Sequence, residues 1–241
     1  MALQSRGLIL ASLENCKSLS VIGPHKITLQ RCTNRAINQN LAFKSQFIEL
    51  FGTPEDNAHE YPIGTISDVA CDVHYGTSKK ASDDGEYTYL RMNNITYGGE
   101  LDLTDVKHIS IPQNELDGCL VKKGDVLFNR TNSRELVGKT CAFMLDEPMI
   151  IAGYIIRLRM NGKVCPEYLS TFLNLDSSKK MLMAMAKGAV GQANINAKEV
   201  QAIEIVIPPI EVQQQFCHLV HQTDKSKYLN PVHYMCGRKR R

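Results

Sequence analysis

Residues 124–133 read Gly124-Asp125-Val126-Leu127-Phe128-Asn129-Arg130-Thr131-Asn132-Ser133. A glycine turn opens into a short apolar run with β-branched and aromatic character, which predicts a strand over 126–129. That strand empties directly into arginine, hydroxyl and amide side chains. The same alternation recurs outward from it. Strands are predicted over 87–91, 139–144 and 150–160, with Gly98-Gly99, Lys123-Gly124-Asp125 and Asn161-Gly162 as turns. Helices bracket these strands. In 41–51, Phe43, Phe47, Leu50 and Phe51 recur at i, i+4, i+7 and i+8 and form one apolar stripe, which Gly52 and Pro54 end. Residues 166–187 read as one helix and 202–207 as a strand. A last helix begins at Pro209, where proline suits the first turn. It carries the stripe Val212, Phe216, Leu219, Val220, opposite a polar face that includes Gln213, Gln214 and His218. The fold expected is α/β of the mixed α+β kind, a twisted mixed sheet flanked by helices. Its parts are an ill-defined segment 1–40, a helical segment 41–52, a globular domain 53–208, a helix 209–228 and a basic tail 229–241.

Composition narrows the function. The 241 residues are 43% hydrophobic and 22% charged, ordinary for a globular chain. No apolar run reaches the ~18–20 residues of a membrane helix, and Met1 to Ser12 lacks the pattern of a secretion signal, so no membrane partner is expected. Eight cysteines are scattered without a Cys-x-x-Cys pair, which fits reduced, mostly core thiols in a cytoplasmic protein. Net charge is +3. Setting aside Arg238, Lys239, Arg240 and Arg241 lowers the 28 bases to 24, against 25 acids. A nucleic-acid surface must therefore come from local clustering. Between Pro148 and Lys198 stand Arg157, Arg159, Lys163, Lys179, Lys180, Lys187 and Lys198 against Glu167 and Asp176. A solvated charged face would look the same.

Catalytic signatures are missing. There is no phosphate-binding Gly-x-x-x-x-Gly-Lys loop and no Gly-x-Gly-x-x-Gly, and Gly188-Ala189-Val190-Gly191 follows a helix instead of a strand. The Asn-Pro-Pro-Tyr of adenine methyltransferases is absent, and no acid pair beside a lysine suggests a metal nuclease. Cys217-His218-x-x-His221 lacks the second ligand pair a structural zinc needs. No metal and no cofactor are expected.

What remains is three polar segments between predicted elements. They contain Arg91, Asn93 and Asn94; then Asn129, Arg130, Thr131, Asn132, Arg134 and Lys139; then Lys187, Gly188, Gln192, Asn194 and Asn196. Such side chains can bond base edges or phosphates, and glycine lets a backbone approach a sugar–phosphate strand. Arg130, at a strand end, suits the paired acceptors of guanine. Lys187 and the loop after it suit phosphates. The plain alternative for Arg130 is an ion pair with Asp125 or Glu135.

Taken in order, these segments resemble the type I restriction–modification specificity subunit. The pattern runs from Ser45-Gln46-Phe47-Ile48-Glu49-Leu50-Phe51-Gly52 through Ile66-Ser67-Asp68-Val69-Ala70, Tyr89-Leu90-Arg91 and Gly124-Asp125-Val126-Leu127-Phe128. It continues through Leu136-Val137-Gly138-Lys139 and Gln192-Ala193-Asn194-Ile195-Asn196 to Pro208-Pro209-Ile210-Glu211-Val212-Gln213. The resemblance covers roughly 41–228. It implies a non-catalytic target-recognition domain that binds double-stranded DNA sequence-specifically. It implies a following helix that pairs antiparallel as a spacer and docks methyltransferase subunits, and through them the restriction subunit. Phe43, Phe47, Leu50, Val212, Phe216, Leu219 and Val220 would form that helix interface. Family members carry two recognition domains, whereas this sequence shows one. Its last helix stops near Tyr228, as in a truncated half-subunit. A homodimer would restore two domains. The competing reading is a fragment without DNA affinity that acts through its helix on an intact specificity subunit.

Overall fold

The computed structural model describes residues 42–188 and 192–228. The expectations for 1–40 and for the tail 229–241 lie outside the described residues. A first helix, α1, spans 42–51. Then follow β1 (Ile63–Thr65), α2 (Ile66–Val69), β2 (Ala70–Tyr75), β3 (Tyr87–Leu90), a single turn of 3-10 helix at Met92–Asn94, and β4 (Lys107–Ile109). The middle of the chain holds α3 (Gln113–Cys119), β5 (Leu120–Val121), β6 (Asp125–Asn129), β7 (Thr131–Asn132), β8 (Thr140–Phe143), β9 (Met149–Ile151) and β10 (Ile155–Met160). The last third is α4 (Pro166–Leu173), α5 (Asp176–Met185), β11 (Ala193–Asn194), α6 (Ala197–Gln201), β12 (Glu204–Val206) and α7 (Ile210–Tyr228).

The run Val126-Leu127-Phe128 is apolar throughout because β6 is covered on both faces. It lies inside an antiparallel sheet of order β2-β10-β6-β8. Side chains alternate across a strand, so Val126 and Phe128 join Ile156 and Leu158 against the helices, in one core with Phe47, Phe51, Tyr168, Phe172 and Phe216. Leu127 and Ile155 turn the other way, to Leu90, Val121, Phe143 and Ile151. That second layer is a sheet of order β4-β3-β9-β5, antiparallel except for the β3–β9 pair.

The predicted strand 150–160 is two strands in two different sheets. Its apolar character is continuous, but the chain turns at Ala152-Gly153-Tyr154. Backbone bonds fasten that corner: Thr77 N to Ile151 O (2.9 Å), Ala152 N to Leu90 O (2.9 Å), Gly153 N to Thr77 O (2.8 Å) and Arg130 N to Tyr154 O (2.9 Å). Nor is 166–187 one helix. Asn174 ends α4, its Nδ2 donating to Thr140 O (2.7 Å) and Ser170 O (2.8 Å), and α5 starts afresh. The predicted strand 202–207 shrinks to β12, paired with β1, behind a short helix, α6, that periodicity did not reveal. Its N-cap is Asn196, whose Oδ1 accepts from Glu199 N (3.0 Å) while Glu199 Oε2 accepts from Asn196 N (2.9 Å).

The stripe of α1 meets that of α7 through aromatic rings. Phe47 lies 5.5 Å from Phe216, 5.0 Å from Tyr168 and 4.9 Å from Phe51, centroid to centroid, and Phe51 is 5.5 Å from Phe216. Leu50, Val212 and Val220 pack on this core from its edge, while Phe43 and Leu219 stay half-buried. Gln213 departs from the polar face assigned to it. It is fully buried, accepting from Cys165 N (2.9 Å) and donating to Lys163 O (3.1 Å) and Pro208 O (2.8 Å). A buried amide is tolerated because each of its polar atoms is bonded. It clamps the start of α7 to the loop before α4.

Candidate nucleic-acid interface

The strand ends β2, β6 and the start of β10 reach the same end of the first sheet, since Tyr75 pairs with Ile156 and Asn129 with Ile155. Beyond that end, Thr131 of β7 pairs with Asn194 of β11, and Arg130 O accepts from Ile195 N (2.9 Å). The topology thus brings Arg130, Thr131, Asn132, Lys187, Asn194 and Asn196 together from segments some 60 residues apart. Lys187 and Asn194 exchange backbone bonds (3.1 and 2.7 Å), closing the neck of the loop that holds Gly188 and Gln192, both exposed. A Cβ on Gly188 would collide with the Gln192 carbonyl oxygen, so the neck requires glycine.

These side chains are not equally available. Thr131 is buried and donates to Asn194 Oδ1 (3.0 Å). Asn132 Oδ1 accepts from Ser133 N (2.8 Å), and Asn196 is spent on its cap. Lys187 Nζ lies 2.7 Å from Glu199 Oε1, which raises the amine's pKa, yet the side chain is well exposed. Solvent screens an exposed pair of this kind and leaves it weak, so a phosphate can replace the carboxylate. Arg134 is exposed.

Arg130 is set apart by its surroundings. The alternative ion pair with Asp125 or Glu135 does not form: Asp125 is buried and takes Arg159 at 2.8 and 2.9 Å. Among the described residues no carboxylate lies within 4.0 Å of the Arg130 guanidinium, and its Nε makes no hydrogen bond. The group sits over the Tyr75 ring, Cζ 4.8 Å from the centroid. Tyr75 is about half exposed, as is Tyr154, whose backbone carbonyl accepts from Arg130 N. Sequence reasoning missed the two tyrosines. Their only signal is an aromatic residue beside a turn glycine, in Tyr75-Gly76 and Gly153-Tyr154.

Three further proposed contacts are, like Thr131, interior groups. Asn129 is fully buried, its Oδ1 turned to Thr131 N. Asn94 holds the turn at Met92–Asn94: Oδ1 accepts from Arg91 N (2.8 Å) and Nδ2 donates to Asp102 O (2.8 Å) and Asp105 O (3.0 Å). Lys139 is buried and donates to Met92 O (2.7 Å), and burial lowers its pKa. Arg91 is half-buried and pairs with Asp105 (2.9 Å), leaving Asn93 as the exposed member of its segment. The continuous basic patch expected over 148–198 is likewise broken. Arg157 and Lys179 are buried and Arg159 is paired, so Lys163, Lys180, Lys187 and Lys198 remain exposed.

Lys179 donates to Gly138 O (2.7 Å), and burial, aided by Lys44 and Lys139, pulls its pKa down to about 7. An unfolded lysine titrates near ~10.4. Between those pH values the unfolded chain binds the extra proton, so stability rises with pH across the window. Wild type should therefore gain on Lys179→Met as pH goes from about 7 to 10, read as the difference in urea midpoints. A difference independent of pH would refute this.

The family profile described as "Type I restriction modification DNA specificity domain" matches residues 58–230. The EcoKI specificity subunit of Escherichia coli (strain K12) is 26% identical over 159 residues, 64% of this chain and 34% of its own length. The putative MjaX specificity subunit of Methanocaldococcus jannaschii is 27% identical over 180 residues, 73% of this chain and 41% of its own. The chain thus spans about a third to two-fifths of these curated relatives. The fold is shared with the HsdS subunit from Thermoanaerobacter tengcongensis: TM-score 0.54 at 21% identity, covering 84% of this chain and 47% of that one. It is also shared with a structure titled for complex assembly and conformational transition of the type I R-M system: TM-score 0.56 at 19% identity, covering 94% and 53%. With the profile match covering most of its length, the chain belongs to the type I restriction modification DNA specificity domain family.

Proposed function

We propose that this chain is the non-catalytic target-reading component of a type I restriction–modification assembly, binding double-stranded DNA in the cytoplasm. In this reading residues 53–208 recognise DNA. Helix α7 with α1 offers the surface on which methyltransferase subunits dock, and those subunits bring the restriction subunit. The observation that carries it is Arg130: a cation without a carboxylate partner among the described residues, mounted at a strand end beside Asn132, Asn194 and the Lys187 loop. A guanidinium offers two parallel N–H donors, which match O6 and N7 of guanine in the major groove. Exposed Arg134, Lys187 and Gln192 surround it as candidates for phosphate contact, and Asn93 supplies a second edge.

Binding of Arg130→Ala and Lys187→Ala to the best site and to a scrambled duplex tests the assignment. Arg130→Ala should cost about 1–3 kcal/mol on the best site and relax preference at one base pair. Lys187→Ala should weaken both duplexes alike and flatten the salt dependence by roughly one phosphate. Equal loss on both duplexes for Arg130→Ala would reduce Arg130 to a phosphate contact. A wild-type chain that binds neither duplex at low salt, with or without methyltransferase subunits, would favour the helix-mediated alternative.

A further inference from the structure

Tyr75 is an aromatic residue that the core does not need. It is 42% exposed, beyond the last half-buried position of β2. It is nonetheless held at two points. Its backbone is in register with Ile156 of β10, and its hydroxyl accepts from the amide of Ala197 (2.8 Å), the first residue of α6. Strand and helix thereby fix the plane of the ring. Arg130 lies over that plane, and among the described residues no carboxylate lies within 4.0 Å of its charge.

We infer that Tyr75 is a positioning residue for base reading, orienting the Arg130 guanidinium so that its N–H edge meets guanine; this rests on the DNA-reading function proposed above. The physical reason is a division of the guanidinium between its face and its edge. Attraction to a ring uses the face of the planar cation. Two-bond recognition of O6 and N7 uses donors along its edge. A group can therefore be held by one and read with the other. A long flexible side chain that must order itself on binding loses affinity in doing so, and a preset one does not. A carboxylate would hold the arginine equally well but would occupy the donors that guanine needs. An aromatic ring leaves them free. The corner at Ala152-Gly153-Tyr154 anchors the arginine's backbone, Tyr154 O accepting from Arg130 N (2.9 Å).

The test is selection from a pool of duplexes with a randomised core, using the full chain assembled with its methyltransferase subunits. Base preferences are compared for wild type, Arg130→Ala, Tyr75→Leu, Tyr75→Phe and the double variant Arg130→Ala/Tyr75→Leu. Tyr75→Leu should flatten preference at the same base pair as Arg130→Ala, by about tenfold, and leave the other positions intact. Tyr75→Phe keeps the ring and its place in β2, losing only the bond from Ala197 N, and should retain most of the preference. The double variant should be no worse than Arg130→Ala alone, since the ring acts through the arginine. If Arg130→Ala flattens a position and Tyr75→Leu does not, or if the two losses add, the positioning role is wrong while the proposed function stands. If wild type enriches no sequence, or Arg130→Ala changes no position, the assignment of Arg130 falls and the inference falls with it.

Discussion

Phe216→Asp should lower the melting temperature by about 10–20 °C. Phe216 is fully buried, its ring 5.5 Å from those of both Phe47 and Phe51. Removing a core phenylalanine costs about 3–5 kcal/mol through lost transfer energy and the cavity left behind. A carboxylate in its place adds the desolvation of a charge inside an aromatic core. The contacts between the rings, each about 0.5–1.5 kcal/mol, go as well. For a domain of this size each kcal/mol moves the midpoint by roughly 2–4 °C. Phe216→Leu keeps most of the volume and should cost only about 1–2 kcal/mol. Circular dichroism melts of the two variants beside wild type decide the matter. A Phe216→Asp curve that overlays wild type would mean that α7 does not rest on α1 in solution.

The second large effect lies on the opposite face of the first sheet. Arg157 is 1% exposed and donates to Asp117 O (2.8 Å), Leu120 O and the Asp72 carboxylate. Arg157→Met should cost about 3–5 kcal/mol, because a buried carbonyl, a partly buried one and a carboxylate lose their donor together. The loss will not reach the extreme of an isolated buried charge. Asp72 keeps His74 at 2.8 Å and Arg159 at 3.6 Å, and it is partly exposed. Arg157→Met with Asp72→Asn should therefore regain part of the stability, since the uncompensated charge is gone. The urea midpoint reports both. Were Arg157→Met as stable as wild type, the guanidinium would be a passenger in the core, replaceable by any apolar chain of its length.

What the sequence made legible follows from the range of the interactions. The stripes of Phe47, Phe51 and Phe216 repeat every three to four residues, so both helices and their apolar faces could be read from local spacing. The strand at Val126–Phe128 was equally plain. Boundaries failed where nothing local marks them. The apolar run 150–160 changes sheets at Ala152-Gly153-Tyr154 with one glycine as its sign, and Asn174 ends a helix by bonding Thr140. The candidate site suffered most. Lys139, Lys179 and Arg157 look like surface cations by type, and they are interior because Met92, Gly138 and Asp117 offer carbonyls that lie 35 or more residues away. Gln213 was placed on the wrong face for the same reason. Tyr75 lies 55 positions before Arg130 in the sequence, so no window of local pattern could join them.

The corner at Ala152-Gly153-Tyr154 ties two sheets together and passes a backbone bond to Arg130. A segment bonded into both sheets opens only when they separate, so its amide hydrogens exchange with solvent on the timescale of global unfolding. Arg130 therefore brings little backbone entropy to surrender when a ligand settles on it. The exposed residues 134–136, in the turn between β7 and β8, and the side chains at the rim carry the ordering cost instead. Changes in those residues can then redirect affinity thermodynamically, through how much motion they give up, while the arginine's mount stays the same.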